Sequence, residues 1–117
     1  MGDRANILIK DTNKDRGVYL YTHWRGTELP DDLQTALKKK WRWNDTPYLA
    51  RIIFCQMIPP NKINEETGFG ISDFIADGGD RILEIDVEKQ TISRKEKKWT
   101  FDEYTQLSKK EIEEVWK

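Results

Sequence analysis

One cysteine and one histidine in 117 residues leave little room for metal or disulfide chemistry. A lone cysteine, Cys55, makes no internal disulfide and points to a reducing compartment. A structural zinc site needs four Cys or His ligands, so that class is excluded too. An excess of charge of one sign is also missing: 20 Lys and Arg stand against 21 Asp and Glu, a net charge of -1. A general nucleic-acid binder draws most of its affinity from a basic excess, which the chain as a whole lacks. No apolar run approaches the ~18–20 residues of a membrane span. The opening Met-Gly-Asp-Arg-Ala-Asn has no apolar signal core, and Asn6 stands where a myristoylation signal takes Ser or Thr. These absences predict a cytoplasmic protein with no cofactor and no metal; for a phage-encoded chain that means the host cytoplasm.

What is present is aromatic. Five Trp, four Tyr and four Phe argue against disorder, although charged residues make up 35% of the chain. The length suits one domain with one modest core.

Residues 5–11 read as a short strand. Residues 17–24 form the clearest strand, rich in aromatic and β-branched side chains. Its period of two puts Val18, Leu20, Thr22 and Trp24 on one face and Tyr19, Tyr21 and His23 on the other. The two strands are expected to pair as an antiparallel hairpin. Residues 30–40 predict a helix, with Pro30 at its start, Asp31 and Asp32 in the first turn and Lys38, Lys39 and Lys40 at its end. A second helix runs from an N-cap at Thr46 through Met57. It is apolar nearly all round apart from Arg51, which predicts the most buried helix, Cys55 included. Strands follow at 68–75, 81–87 and 91–95. Thr100-Phe-Asp-Glu103 and Ser108-Lys-Lys-Glu111 each fit a capping box, so the tail is one broken helix or two short ones. The order ββααβββα predicts an α+β single domain over residues 1–117. Its antiparallel sheet of about five strands has helices packed on one face, leaving the other for a partner or ligand.

Several segments together resemble a group of small bacterial and phage proteins. Its members open as Met1-Gly-Asp-Arg-Ala-Asn-Ile7 and continue with a strand of the form Tyr-x-Tyr-x-His-Trp-x-Gly, here Tyr19-Leu-Tyr-Thr-His-Trp-Arg-Gly26. The segments 42–51, 66–72 and 99–104 are similar as well. The group often has Asp where this chain has Arg25, which removes a carboxylate from that turn. No activity is assigned to the group, so the resemblance implies membership and a mobile-element origin, not a reaction.

Four constellations carry chemistry. Tyr19, Tyr21 and His23, with Arg25 beyond, form a line of aromatic and titratable side chains. With Arg4 or Asn6 from the neighbouring strand, that line suits an anion or phosphate; the plainer reading is packing with hydrogen-bonded polar tips. Lys38-Lys-Lys-Trp-Arg-Trp43 interleaves bases and rings as single-strand binders do; the plainer reading is a basic helix end with two anchoring tryptophans. Arg51 must pair with a carboxylate such as Asp45 or Asp73, or reach the surface; a fixed guanidinium is also a good anion fork. Asp73, Asp77, Asp80, Glu84 and Asp86 flank a turn without calcium-loop spacing, which reads as a charged strand edge.

The catalytic inventory is sparse and the aromatic content high. The sequence therefore points to a small non-enzymatic binding protein with no catalytic residue assigned. Tyr19, Tyr21, His23, Arg25, Arg4 and Arg51 are its candidate binding residues. Its expected partners are a second copy of itself, a host protein, or an anionic small molecule such as a nucleotide-like signal. The alternatives are a small hydrolase or phosphotransfer enzyme using His23 as acid and base, and a nucleic-acid binder through Lys38 to Trp43.

Overall fold

A computed structural model describes residues 2–11, 17–62, 68–75 and 80–117. The chain builds an α+β fold around one six-stranded sheet. In chain order the elements are β1 (Ala5–Lys10), β2 (Val18–Thr22), α1 (Leu29–Lys38), α2 (Thr46–Met57), a 3-10 turn (Pro60–Lys62), β3 (Phe69–Ser72), β4 (Ile82–Asp86), β5 (Thr91–Arg94), β6 (Lys97–Thr100), α3 (Phe101–Thr105) and α4 (Lys109–Glu113). The strands lie in the order β3-β2-β1-β4-β5-β6.

The expected β1–β2 hairpin is present, with Ala5 opposite Thr22 and Ile9 opposite Val18. The wholly antiparallel sheet is not: β1 and β4 run parallel at its centre, Ile7 beside Leu83 and Ile9 beside Ile85. Alternation in β1, β2 and β4 was legible, but it names no partner. Once β3 pairs on the far side of β2, the free edge of β1 is left for β4, reached by the long helical connection a parallel pair needs. The sixth strand, β6, follows a two-residue connection in which Lys95 takes a left-handed φ of 55°. With Trp99 its one apolar residue, Lys97–Thr100 shows no strand pattern.

Alternation then decides the layers. Ala5, Ile7, Ile9, Leu20, Leu83, Ile85 and Ile92 are all buried on one face. The helices cover that face, α2 against β1 and β2 and α3 against β5 and β6. Leu33, Ala36 and Leu37 of α1 complete the core with Leu49, Ile53 and Met57 of α2. At ~25 cal/mol per Å² this shared burial is the main favourable term. Polar bonds fix the tail to it. Gln34 Nε2 donates to the Tyr104 and Leu107 carbonyls at 3.1 and 2.8 Å, and Tyr104 Oη donates to the Pro30 carbonyl at 2.8 Å. Trp116 Nε1 donates to the Gly26 carbonyl at 2.8 Å, while the Arg81 and Arg94 guanidinium groups lie over its ring. Both capping boxes form, giving two short helices.

α2 departs from expectation in two ways. Its N-cap is Asp45, one residue before Thr46, because Thr46 Oγ1 donates instead to Asp11 Oδ1. Nor is it the most buried helix: Tyr48, Arg51 and Cys55 share an exposed face. That stripe recurs at the helical spacing i, i+3, i+7, so Arg51, the one charge, marked the outer face.

Asp32, in the first turn of α1, is buried and held by both nitrogens of the Arg25 fork at 2.9–3.2 Å. Burial pushes its carboxyl up to about 6, despite the Arg25 hydrogen bonds and charge, with Asp31 and Glu28 adding to the upward push. The unfolded carboxyl titrates near ~3.9. Between these values the folded protein keeps a proton that the unfolded chain has lost. Asp32's share of stability is therefore present below about 4 and disappears as pH rises through 6. Thermal melts from pH 7 to pH 4.5 should show the wild type gaining on Asp32→Asn by on the order of 1 kcal/mol, solvent screening allowed for. A difference that stays constant across that range contradicts the assignment.

Candidate functional site

β1 alternates through its whole length. With Ala5, Ile7 and Ile9 in the core, Arg4, Asn6, Leu8 and Lys10 fall on the face away from the helices. Across the ladder, Tyr19 and Tyr21 point the same way, Tyr21 directly opposite Asn6, and His23, just past the strand, is brought to them by its contacts with Tyr21 and Arg4. The sequence-predicted line of side chains is thus assembled on that sheet face. Tyr21 Oη lies 3.1 Å from His23 Nδ1. Arg4 Nε donates to the same Nδ1 at 3.3 Å. An arginine N–H aimed at Nδ1 requires a lone pair there, which places the imidazole proton on Nε2.

Asn6 sits beneath this group. Its side chain is fully buried, and neither Oδ1 nor Nδ2 has a hydrogen-bond partner among the described residues. Leaving such an amide unmatched costs about 1–3 kcal/mol, a cost an apolar residue would avoid.

The surrounding backbone is drawn tight at this end of the sheet. Asp3 N donates to the His23 carbonyl at 2.7 Å, and Gly26 N donates to the Asp3 carbonyl at 2.7 Å. A Cβ at Gly2 would meet His23 Nε2 at 2.8 Å, and one at Gly68 would meet the Trp24 ring at 2.3 Å. Trp24 therefore lies against Gly68, edge-on to His23 with ring centroids 4.8 Å apart. It is 49% exposed, not turned into the core as its place in the alternation predicted. The strand ends at Thr22, and the bend at His23–Trp24 breaks the pattern.

Three residues that sequence reasoning missed hold this end in place. Asp3 accepts from Arg81 Nη1 at 2.7 Å, from Thr27 N at 2.9 Å and from Thr27 Oγ1 at 3.0 Å. Partial burial alone would raise the Asp3 carboxyl. The Arg81 and Thr27 hydrogen bonds overcome this and hold it below its ordinary value. The signal available for Asp3 was its place between Gly2 and Arg4 in the opening motif.

Two predicted site residues stand apart. Arg25 does not join the His23 line: past the bend its backbone N donates to Thr22 Oγ1, and its guanidinium turns to Asp32 on α1. Arg51 lies on the exposed face of α2, in the helical layer. It pairs with neither Asp45 nor Asp73; its Nη1 is 3.7 Å from Cys55 Sγ. The acidic set is dispersed, with Glu84 on Lys10, Asp80 on Lys95 and Asp86 capping Lys89 N, while Asp77 lies outside the described residues. Among the described residues, no three His, Cys, Asp or Glu side chains gather to hold a metal ion, and no helix is long and apolar enough to cross a membrane.

Comparison with family models, curated proteins and solved structures found no match.

The close approaches give a direct test. A Cβ at position 26 would stand 2.6 Å from the Asp3 carbonyl oxygen, whereas one at position 70 meets nothing within 4 Å. Gly26→Ala should lower stability by about 1–3 kcal/mol in urea unfolding, because backbone must shift. Gly70→Ala should be neutral within about 0.5 kcal/mol. Equal effects at both positions would contradict the tight joint between residues 2–4 and 23–26.

Proposed function

We propose that this is a small binding protein that takes an anionic ligand, a phosphate or carboxylate group, at Arg4, Tyr19, Tyr21 and His23 on the sheet face away from the helices. The observation that carries this reading is Asn6. A fully buried amide with no partner among the described residues, opposite Tyr21 and two residues from Arg4, is a cost to folding that a binding group explains. The chemistry is suited to an anion. Arg4 supplies a fixed charge, Tyr21 a hydroxyl donor, Asn6 an NH2, and His23 a ring N–H. Both polar atoms of Asn6 are shielded, so side chains over it must move when a ligand engages, and induced fit is part of the mechanism. Arg25 and Arg51 take no part, for the reasons of geometry given above.

The experiment separates binding from architecture. Asn6→Leu removes an unsatisfied amide, so it should raise stability by about 1 kcal/mol or more while abolishing the response to pyrophosphate or acetate in thermal-shift titrations. Arg4→Ala should weaken that response about tenfold or more. If Asn6→Leu is destabilising, or binds the anions as well as wild type, the reading fails.

Self-association belongs to the same proposal. β3 is an edge strand with no charged residue in Phe69–Ser72, and Ile71, Phe74 and Ile75 beside it are exposed. The opposite edge, β6, carries Lys97 and Lys98, the usual protection against pairing. Light scattering at increasing concentration should show a dimer that Ile71→Lys converts to monomer; a strict monomer throughout removes this part.

A further inference from the structure

The segment Lys38 to Trp43 is not absorbed by that function, and the fold changes its meaning. Of its two tryptophans only Trp43 anchors the loop, with Nε1 donating to the Leu37 carbonyl at 3.1 Å and its ring edge-on to Phe101. Trp41 is 60% exposed. Across the loop Tyr48, at the start of α2, is 53% exposed. Arg42 lies between them in the chain, its guanidinium carbon 4.6 Å from the Tyr48 ring centre, and Lys39 Nζ is 5.4 Å from that of Trp41. Lys40 and Arg42 both take left-handed φ, 57° and 59°, the turn geometry that brings the end of α1 round to α2. One turn along α2, Arg51 continues the exposed face that Tyr48 begins.

The result is a strip with two exposed ring platforms among the cations of Lys38–Arg42 and Arg51. Two acids border it among the described residues: Asp45, 3.6 Å from Arg42, and Asp11, which accepts from Thr46 Oγ1 at the start of α2. Lys38, Lys39, Lys40 and Arg51 form no ion pair with any described residue. The whole-chain charge of -1 hides this because most acids lie on other elements.

We infer that this strip binds single-stranded nucleic acid, with bases stacking on Trp41 and Tyr48 and the backbone phosphates neutralised by Lys38–Arg42 and Arg51. Stacking accepts any base, and phosphate contacts carry no sequence information, so binding is sequence-tolerant. A duplex hides its base faces and offers the rings nothing to stack on.

The test uses the full chain and 20-nucleotide oligo(dT) and oligo(U), followed by fluorescence anisotropy and tryptophan quenching. Binding should appear at low salt and weaken as salt rises, with a log–log slope of about -2 to -3 for three or four phosphate contacts. The double variant Trp41→Ala/Tyr48→Ala, altering exposed side chains only, should keep its far-UV spectrum and lose affinity about tenfold or more. Arg51→Ala should reduce the slope by about 0.7. Asn6→Leu should bind the oligonucleotides as wild type does, which separates this site from the sheet face. No binding at 20 mM salt, equal binding to a 20-base-pair duplex or to polyglutamate, or an unchanged affinity in the double variant would overturn the inference.

Discussion

The alternation of β1 is the constraint on which the site depends. Ala5, Ile7 and Ile9 seal the core against Leu20, Leu83 and Ile85, and a shift of one residue would expose all three. Register is thereby pinned from both sides, by β2 and by β4. The other residues have no choice. Arg4, Asn6, Leu8 and Lys10 must stand on the second face, and Asn6 must stand opposite Tyr21. Hydrophobic burial on one side of the sheet thus positions polar chemistry on the other.

The end of the sheet adds precision to that placement. Gly2, Gly26 and Gly68 let three backbone segments approach closely, and Asp3, Thr27 and Arg81 tie the opening residues to the turn after His23. Arg81 is held by Asp3 and lies over Trp116, so the tail and the sheet end share one set of contacts. Arg94, buried beside it, donates to the carbonyls of Asp80 and Trp116. A sheet face built on a fixed strand register and tied at its end keeps its backbone in place, so the rearrangement that the proposed binding needs falls on side chains.

Much of this was legible in the sequence. The period-two pattern in Val18–Thr22 gave the strand and its faces, and both capping boxes gave the tail helices. Proline and paired aspartates marked the start of α1. What failed did so for physical reasons. Alternation reports which face is buried but not which strand lies alongside, so the parallel β1–β4 pair was invisible. A short edge strand with one apolar residue, β6, carries no period. Arg25 was assigned to the His23 line by extending the strand two residues too far; a bend intervenes, and the buried Asp32 carboxylate claims the guanidinium. The orphaned Asn6 amide is a tertiary fact, since only assembled strands reveal that no donor or acceptor among the described residues reaches it.

The most direct measurement is a two-dimensional proton–nitrogen spectrum of the Asn6 side-chain amide, titrated with pyrophosphate. A buried NH2 without an acceptor should resonate upfield of the exposed Asn44 amide and move downfield on binding, as the Arg4 Nε signal shifts in parallel. An Asn6 amide that already resonates as a hydrogen-bonded group and stays still through the titration would contradict the account.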